Sequence, residues 1–331
     1  MYLLEFAGEH DRFAAREAAT AASDVTPIAA GLATARGISG VERLAFTRRV
    51  ADLVGTTDAE VESARALLSV ATVDRAGSVA VRARDVRGST GVDTQRVERI
   101  LGGVLVDRGF PVDLEDPDHV LLVLFGNGTR TGNGTACALG WLVAEPPREF
   151  APAPTDRPFF QPGTMDPPLA RALANLAGAR PGRTILDPMC GTGGVLVEAG
   201  LVGARTVGVD AQVKMARGAR ENLVAYLSGG FETLEGDATR LPVVRDAVDG
   251  VVFDAPYGRQ SSIRGGDRHS LVAGALGEAR RVAPRAVVVG DRDWADVARN
   301  QGWIVETALS RRVHRSLVRH VLVLDRDRNE P

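Results

Sequence analysis

The chain has 331 residues, of which 44% are hydrophobic and 25% charged, as in globular proteins with two or three domains. Its net charge is −2, so no overall basic character indicates nucleic acid, and Lys214 is the only lysine among many arginines. No apolar run reaches the roughly 18 residues of a membrane span, and the acidic N-terminus lacks the pattern of a signal peptide. The sequence therefore predicts a cytoplasmic protein without membrane contact.

Cysteine and histidine are sparse. The two cysteines, Cys137 and Cys190, show neither a disulfide framework nor the spacing of metal ligands. Of the five histidines only His314 and His320 are close in sequence. We therefore predict no metal site.

The first half of the chain alternates between helical and extended patterns. YLLEF predicts a strand, HDRFAAREAATAA a helix, and VERLAFTRRV completes a small α+β unit. A second unit follows, with the helices DAEVESARALL and DTQRVERILGGVLVDRG and the strands SVAVRARDV, HVLLVLFG and ACALGWLV. We place these units at residues 1–55 and 56–145.

Proline is concentrated in the stretch EPPREFAPAPTDRPFFQPG. Because proline sustains neither a helix nor a central strand, the composition marks a boundary here. We interpret residues 146–165 as a semi-rigid linker before a second half, residues 166–331.

The second half predicts an α/β domain with a mostly parallel sheet. RTILD, TVGVD, GVVFD and RAVVVGD are β-branched runs that each end in aspartate, and amphipathic segments such as VKMARGARENLVAYL separate them. WIVETAL and LVRHVLVLD are joined by too few residues for a crossover, which predicts a terminal antiparallel hairpin. Ligands of such sheets bind at the carboxyl ends of the strands, where these aspartates lie.

The stretch DPMCGTGG follows the first of these strands and precedes a helix. Gly191 and Gly193 allow a tight turn, and Asp210 ends the next strand, where an acid binds ribose hydroxyls. A structural turn or a dinucleotide site would fit the glycines alone. However, Asp187 repels a pyrophosphate and suits an ammonium group, and Asp237 after the third strand can accept from an adenine amino group. The pattern favours S-adenosylmethionine over NAD.

The fourth strand leads into VVFDAPYGRQSS. Asp254 and the carbonyl of Ala255 can accept hydrogen bonds from an amino group, and Pro256 restricts the backbone before it. Tyr257 offers a ring face on which a planar base can stack. A strand-end turn with a surface tyrosine is the plain alternative. Together with the upstream acids, the pattern favours a clamp for an exocyclic amine.

These motifs resemble a known family. Asp187-Pro-Met-Cys-Gly-Thr-Gly-Gly and Asp254-Ala-Pro-Tyr-Gly resemble the cofactor loop and the (Asp/Asn)-Pro-Pro-Tyr motif of class I amino-methyltransferases. RPFFQPGTMDPPLARAL, residues 157–173, is similar to the segment before the catalytic domain of archaeal tRNA guanine-N2 methyltransferases acting at position 10. The N-terminal half is similar to their ferredoxin-like and THUMP module in element order. The chain departs from the usual motif at Ala255, where the family has proline.

The resemblance implies a class I, Rossmann-like methyltransferase domain at residues 166–331. It also implies a ferredoxin-like unit at 1–55 and a THUMP RNA-binding domain at 56–145, with the linker at 146–165 between them and the catalytic domain. The expected catalytic residues are Asp254, Ala255, Pro256 and Tyr257. The expected contacts to S-adenosyl-L-methionine come from Asp187, Cys190, Gly191, Thr192, Gly193, Asp210, Asp237, Ala238 and Asp254.

The resemblance further implies tRNA as partner, and some relatives use a small zinc-binding activator subunit. Arginine and turn N–H groups bind phosphates and 2′-hydroxyls without reading sequence. A solvated charged face explains any single arginine equally well. From the stretch VRARDVRGSTGVDTQRVER we predict RNA contacts by Arg82, Arg84, Arg87 and Arg96. The terminal hairpin carries another cluster that is a candidate for phosphate contacts, namely Arg311, Arg312, Arg315 and Arg319.

The expected function is methylation of the N2 amino group of a guanosine in tRNA, at position 10, which gives N2-methyl- or N2,N2-dimethylguanosine. The nearest alternatives are guanine-N2 methylation at another tRNA position or in rRNA, and adenine-N6 methylation. A short insertion after Tyr257 disfavours the DNA enzymes. Alternatives of other classes are a non-catalytic RNA-binding module and an NAD enzyme.

Overall fold

The computed structural model describes residues 1–129, 132–256, 267–314 and 317–326. The chain divides into two compact units, Met1–Pro147 and Arg148–Pro331. None of the helices in the described part is long and apolar enough to cross a membrane.

The first unit is an α+β structure built on one large sheet. Its elements in chain order are β1 (Tyr2–Phe6), α1 (Asp11–Ala18), β2 (Ala22–Ser23), β3 (Thr26–Ala29), β4 (Leu32–Ala35), β5 (Gly37–Ile38), β6 (Thr47–Asp58), α2 (Val61–Val70), β7 (Val79–Asp85), α3 (Thr94–Asp107), β8 (His119–Thr129) and β9 (Gly132–Ala144).

The two domains predicted within residues 1–145 share this sheet. Its strand order is β3-β4-β1-β6-β9-β8-β7, and β6 pairs with β1 on one side and with β9 on the other. Strand β6 also crosses the predicted boundary between residues 55 and 56. Since backbone pairing on both sides of β6 holds the strands together, the structure has one unit where the sequence suggested two.

Strand β8 forms the centre of the first unit's core. Its alternate residues Leu121, Val123 and Phe125 pack under α2 and α3, while Leu122 and Leu124 pack on the opposite face of the sheet. A strand buried on both faces has a continuous apolar run rather than an alternating one. The apolar run HVLLVLFG is therefore a strand buried on both faces, at the place where the sequence predicted a strand.

The second unit contains the doubly wound sheet. Its elements are α4 (Pro167–Leu176), β10 (Thr184–Asp187), α5 (Gly194–Leu201), β11 (Arg205–Asp210), α6 (Val213–Tyr226), β12 (Phe231–Glu235), β13 (Gly250–Asp254), α7 (Arg268–Val282), β14 (Arg285–Gly290), α8 (Ala295–Asn300), β15 (Trp303–His314) and β16 (Leu317–Arg326).

The strand order of this sheet creates a crevice at its carboxyl edge. The order is β12-β11-β10-β13-β14-β16-β15, with β10 to β14 parallel and β16 antiparallel to both of its neighbours. From β10 the chain continues in one direction to β12, and from β13 it continues in the other. Ligands of such folds bind where the strand order reverses, here beyond β10 and β13. The predicted Rossmann-like sheet with a terminal hairpin is confirmed.

Most of the predicted linker, residues 146–165, packs against the second unit. The N–H of Ala151 donates to Glu198 Oε1 at 2.9 Å. The N–H of Phe159 donates to Asn222 Oδ1 at 3.0 Å, and Asn222 Nδ2 donates to the Phe159 carbonyl at 2.9 Å. Prolines interrupt helices and strands but do not stop a chain from packing when buried side chains satisfy its backbone. Ala151 and Phe159 of this stretch are therefore held on the second unit, and the predicted bounds of the linker stay a prediction.

A buried ion pair joins α4 to α5 beneath this segment. Arg171 Nε donates to Glu198 Oε2 at 2.7 Å, and both side chains are buried. Burial raises the pKa of Glu198, and the charge of Arg171 offsets part of that rise. Arg171 also donates to the carbonyl of Glu149 at 3.1 Å, so the pair holds the segment as well as the helices.

Candidate active site

Three aspartates end neighbouring parallel strands of the second unit. Asp187 ends β10, Asp210 ends β11 and Asp254 ends β13, and β10 lies between the other two strands. The pKa of Asp187 reflects this arrangement. Burial raises it well above its ordinary value, and the charges of Asp210 and Asp254 raise it further. The carboxyl edge thus concentrates negative charge where a cation would be stabilised.

The loop between β10 and α5 folds around these carboxylates. The N–H of Met189 donates to Asp187 Oδ1 at 3.0 Å. Asp210 accepts from Gly191 N–H at 2.9 Å and from Gln212 N–H at 2.9 Å, one on each carboxylate oxygen. Each oxygen has a further lone pair. Asp210 therefore shapes the loop and keeps acceptor capacity for a ligand.

Two glycines allow this loop to lie close to its neighbours. Gly193 has φ of +75°, and a Cβ added there would lie 3.1 Å from the Cβ of Ala219. A Cβ on Gly208 of β11 would lie 2.7 Å from Leu196 Cδ1 and 3.0 Å from Cys190 Sγ. No sequence pattern indicated a role for Gly208, since only the folded loop shows what lies opposite it.

Cys190 is a packing residue of the loop. Its side chain is buried, and its N–H donates to the carbonyl of Val209 at 3.0 Å. Burial raises the pKa of the Cys190 thiol well above its ordinary value, and the charges of Asp187 and Asp210 raise it further. The thiol is therefore neutral and unreactive at physiological pH.

Thr192 connects the loop to the segment before α4. Its buried hydroxyl lies 3.3 Å from the hydroxyl of Thr164, and its carbonyl accepts from Asn222 Nδ2 at 2.8 Å. Asn222 is the side chain that also holds Phe159. No motif predicted a role for Thr164 or Asn222. Thr164 lies inside the stretch that carries the family resemblance, which was the available signal.

Asp237 and Ala238 lie just beyond the end of β12. Asp237 is exposed, and its Oδ1 accepts from the N–H and the hydroxyl of Thr239, each at 2.8 Å. The side chain of Ala238 is buried in the core cluster of the sheet beside Leu241. Asp237 is therefore at the predicted edge, whereas the Ala238 side chain packs inward.

The predicted amine clamp begins where β13 leaves the sheet. Ala255 is buried, and its N–H donates to the carbonyl of Val289 at 2.8 Å, which fixes the backbone after Asp254. The carbonyl of Pro256 lies 3.4 Å from Arg268 Nη1, which donates to it. Tyr257 lies outside the described residues, so its stacking role stays a prediction.

Arg268 and Asp291 are two further residues at this edge, and no sequence pattern predicted them. Arg268 Nη1 donates to Asp291 Oδ2 at 3.1 Å, and Asp291 directly follows β14. The pair links the start of α7 to the turn after Asp254. An arginine in a helical stretch gives no sequence signal for such a contact.

The four arginines predicted to bind RNA are partly used inside the first unit. Arg82 Nη2 donates to the carbonyl of Leu114 at 2.6 Å. Arg84 Nε lies 3.3 Å from buried Glu5, and Arg87 Nη1 donates to Asp11 at 3.2 Å. Arg96 is exposed on α3. Their contacts with RNA stay a prediction, and the ion pairs reduce the number of charges that are available.

Within the described ranges, no three potential metal ligands group together.

Comparison with known proteins identifies the family. The model of the RMKL-like methyltransferase domain matches residues 154–320. The chain is 34% identical over 296 residues to a tRNA (guanine(10)-N2)-dimethyltransferase of Methanothermobacter thermautotrophicus, which covers 86% of this chain and 84% of that relative. The chain belongs to the tRNA guanine-N2 methyltransferase family.

Two further relatives carry related names. The tRNA (guanine(10)-N2)-dimethyltransferase of Pyrococcus abyssi is 33% identical over 258 residues, 75% of this chain and 74% of the relative. The tRNA (guanine(6)-N2)-methyltransferase of Thermus thermophilus is 33% identical over 192 residues, 56% of this chain and 53% of the relative. The names share the guanine N2 atom and differ in the tRNA position.

S-adenosylmethionine is the cofactor that this methyltransferase family implies, and the residues of the site fit it. The cofactor carries an ammonium group and ribose hydroxyls but no phosphate. Asp187 and Asp210 offer buried carboxylates, and the loop after Asp187, residues 188–194, has no lysine or arginine to pair with a phosphate. The negative charges of the strand-end acids would also repel a pyrophosphate. The donor set therefore favours S-adenosylmethionine over NAD.

Proposed function

We propose that this protein methylates the exocyclic N2 amino group of guanosine 10 in tRNA. S-adenosylmethionine supplies an electrophilic methyl group when bound. One observation carries the proposal: the carboxylates of a cofactor site and the Asp254-Ala255-Pro256 turn share one sheet edge, in a chain 34% identical to an enzyme of that name.

The protein's own residues would bind and orient the reactants. Asp187 holds a positive group and Asp210 accepts from hydroxyls while fixing the loop. Asp254 accepts a hydrogen bond from the guanine amino group, which directs the nitrogen lone pair and stabilises the positive charge that develops on nitrogen. The buried Ala255 N–H keeps the turn in place by donating to Val289. Tyr257 would supply the stacking surface that the sequence predicts.

The reaction forms a nitrogen–carbon bond, breaks a sulfur–carbon bond and releases one proton from nitrogen. A secondary amine still has an N–H and a lone pair. Two successive turnovers would therefore give N2,N2-dimethylguanosine, as the names of the archaeal relatives state for those enzymes. We propose the same product order here.

Nucleoside mass spectrometry of a tRNA transcript incubated with the protein and labelled S-adenosylmethionine tests the proposal. We expect label in N2-methylguanosine first and in the dimethylated nucleoside later. A matched transcript with inosine at position 10 keeps the ring but lacks the amino group, so it should remain unlabelled. Label in N6-methyladenosine, or equal labelling of the inosine transcript, would contradict the proposal.

The tRNA itself is the partner that the family supports, and a small zinc-binding activator subunit stays a prediction. Turnover by the purified chain alone would make such a subunit unnecessary. Turnover that requires a second, zinc-containing polypeptide would support it. We propose two separate roles for the two units: RNA binding by residues 1–145, the predicted ferredoxin-like and THUMP parts, and catalysis by residues 166–331.

A further inference from the structure

Two arginines face each other across the terminal hairpin. Arg311 of β15 and Arg319 of β16 are partners in the strand register. Directly opposed residues of antiparallel strands project from the same face of the sheet, about 5 Å apart at Cβ, and like charges there repel each other. The fold therefore places two positive charges side by side, which requires a compensating anion.

Arg319 lacks such an anion in the part of the chain that the structure describes. Its side chain is 7% exposed, its Nε is buried without an acceptor, and it forms no ion pair with any described residue. The charge of Asp166 acts on Arg311, whose pKa burial lowers. A guanidinium left in this state is costly to the fold.

The same hairpin shows how the chain pairs an arginine when the role is structural. Arg285, at the amino edge of β14, lies 2.7 Å from Asp325 and 3.0 Å from Glu306. Both carboxylates belong to the hairpin strands. The charge of Arg285 at the amino edge of the sheet is thus neutralised, whereas no such ion pair neutralises the charge of Arg319 at the carboxyl edge among the described residues.

The register places Arg319 near the candidate catalytic turn. Asp254 pairs with Val289, and Val289 pairs with Val321. Two strand spacings, about 10 Å, therefore separate Asp254 from Val321. Arg319 lies two residues further toward the carboxyl edge, about 7 Å along the strand. A polynucleotide with one base at Asp254 can reach it with an adjacent part of its backbone.

We propose that Arg311 and Arg319 form a binding site for a backbone phosphate of the RNA substrate, next to the nucleotide whose base reaches Asp254. This inference rests on the proposed function and specifies how that substrate is held. The planar guanidinium fork matches two phosphate oxygens. The phosphate supplies the negative charge that no ion pair with a described residue supplies to Arg319.

Arg319→Met in the full-length protein tests the site because the change separates binding from folding. Removing a buried charge without a partner should leave the melting temperature unchanged or raise it. The dissociation constant for tRNA should rise about tenfold, and the slope of its logarithm against log salt should decrease by about one. Binding of S-adenosylmethionine should not change. Arg319→Lys keeps the charge without the fork and should fall between the two proteins.

Arg205→Met provides the matched control. Arg205 is exposed at the start of β11, at the amino edge of the same sheet, so its loss should alter neither the affinity for tRNA nor the salt slope. If Arg319→Met lowers the melting temperature and keeps full tRNA affinity, the arginine is structural and the phosphate site is overturned. If the wild-type protein transfers no methyl group to tRNA, the proposed function fails first, and the site fails with it.

Discussion

At the residue scale, the acids of the sheet edge differ in burial and therefore in what they can do. Asp187 and Asp210 are buried and already accept backbone N–H groups of the cofactor loop. Asp254 is half-buried at the end of β13, and Asp237 is exposed beyond β12. Buried carboxylates hold a cation strongly, whereas a half-buried one can meet a substrate that enters from solvent. This difference in burial is consistent with the proposed division of roles, in which Asp187 and Asp210 bind the cofactor and Asp254 acts on the substrate.

Asp254→Ala should reduce methyl transfer with little effect on cofactor binding. The carboxylate acts on the amine mainly as positive charge develops on nitrogen, so the loss should appear in kcat. Removing one such acceptor costs about 3 kcal/mol, or roughly a hundredfold in rate. Single-turnover assays measure it. Asp254→Asn retains an acceptor oxygen and should keep more activity, and a near-normal rate for the alanine variant would eliminate the amine clamp.

Asp187→Asn should stabilise the fold and weaken the binding of S-adenosylmethionine. Burial raises the pKa of Asp187, so its ionisation destabilises the folded chain as pH rises above the unfolded value near 4 toward the folded one. The melting temperature of the variant should therefore exceed that of the wild type by an amount that grows with pH over this window. Asparagine still accepts from Met189.

The carboxylate of Asp187 should also make the binding of S-adenosylmethionine depend on pH. The ammonium of S-adenosylmethionine prefers the ionised carboxylate, so wild-type affinity should increase as pH rises through the raised pKa of Asp187. The affinity of Asp187→Asn for S-adenosylmethionine should be at most about tenfold lower than that of the wild type. It should not change with pH over this range. Titration calorimetry at several pH values measures both. Equal pH profiles for the two proteins would exclude Asp187 from the ammonium site.

At the element scale, the close approach between β11 and the cofactor loop depends on Gly208. Gly208→Ala would place a Cβ 2.7 Å from Leu196 and 3.0 Å from Cys190, so the loop must shift. Overpacking of this kind costs about 1–3 kcal/mol of unfolding free energy, and we expect weaker cofactor binding as well. Gly102→Ala in α3 is the control: nothing lies within 4 Å of its Cβ, and it should stabilise by roughly 0.5–1 kcal/mol. Chemical denaturation compares the two.

Periodicity identified most elements, and the exceptions have a physical cause. The strands β3 and β4, TPIA and LATA, are four residues long and contain proline or alanine, which are both depleted in strands. They form because β4 pairs with β1 and β3 pairs with β4. Pairing between distant residues decides such strands, and local sequence does not encode it.

At the scale of the whole molecule, the two compact units should be separable by function. A fragment of residues 148–331 contains every strand-end acid and should bind S-adenosylmethionine as tightly as the full chain. It should lose most affinity for tRNA because the arginines of the first unit are absent. Filter binding and calorimetry measure the two affinities. Full tRNA affinity of this fragment would mean that the first unit does not hold the RNA.

A shorter fragment from Thr155 onward is the control for the start of the second unit. It lacks Ala151, whose N–H donates to Glu198, and Pro152, whose carbonyl accepts from Arg157 Nε at 3.0 Å. Buried polar groups that lose their partners destabilise a fold. The shorter fragment should therefore melt at a lower temperature than 148–331. Equal melting temperatures would indicate that residues 148–154 contribute nothing to the unit.

The sequence by itself determined the class of sheet, the acids at its edge and the chemistry they favour. Strands that end in aspartate and a glycine loop before a helix are local patterns, and local patterns follow from the backbone period and from residue chemistry. The family resemblance then specified the amine and the RNA. Only the tertiary structure decided that Ala151 packs on Glu198 and Phe159 on Asn222, and that the strands of residues 1–145 share one large sheet. These outcomes depend on which distant groups meet, and burial of their polar atoms, rather than local sequence, selects the partners.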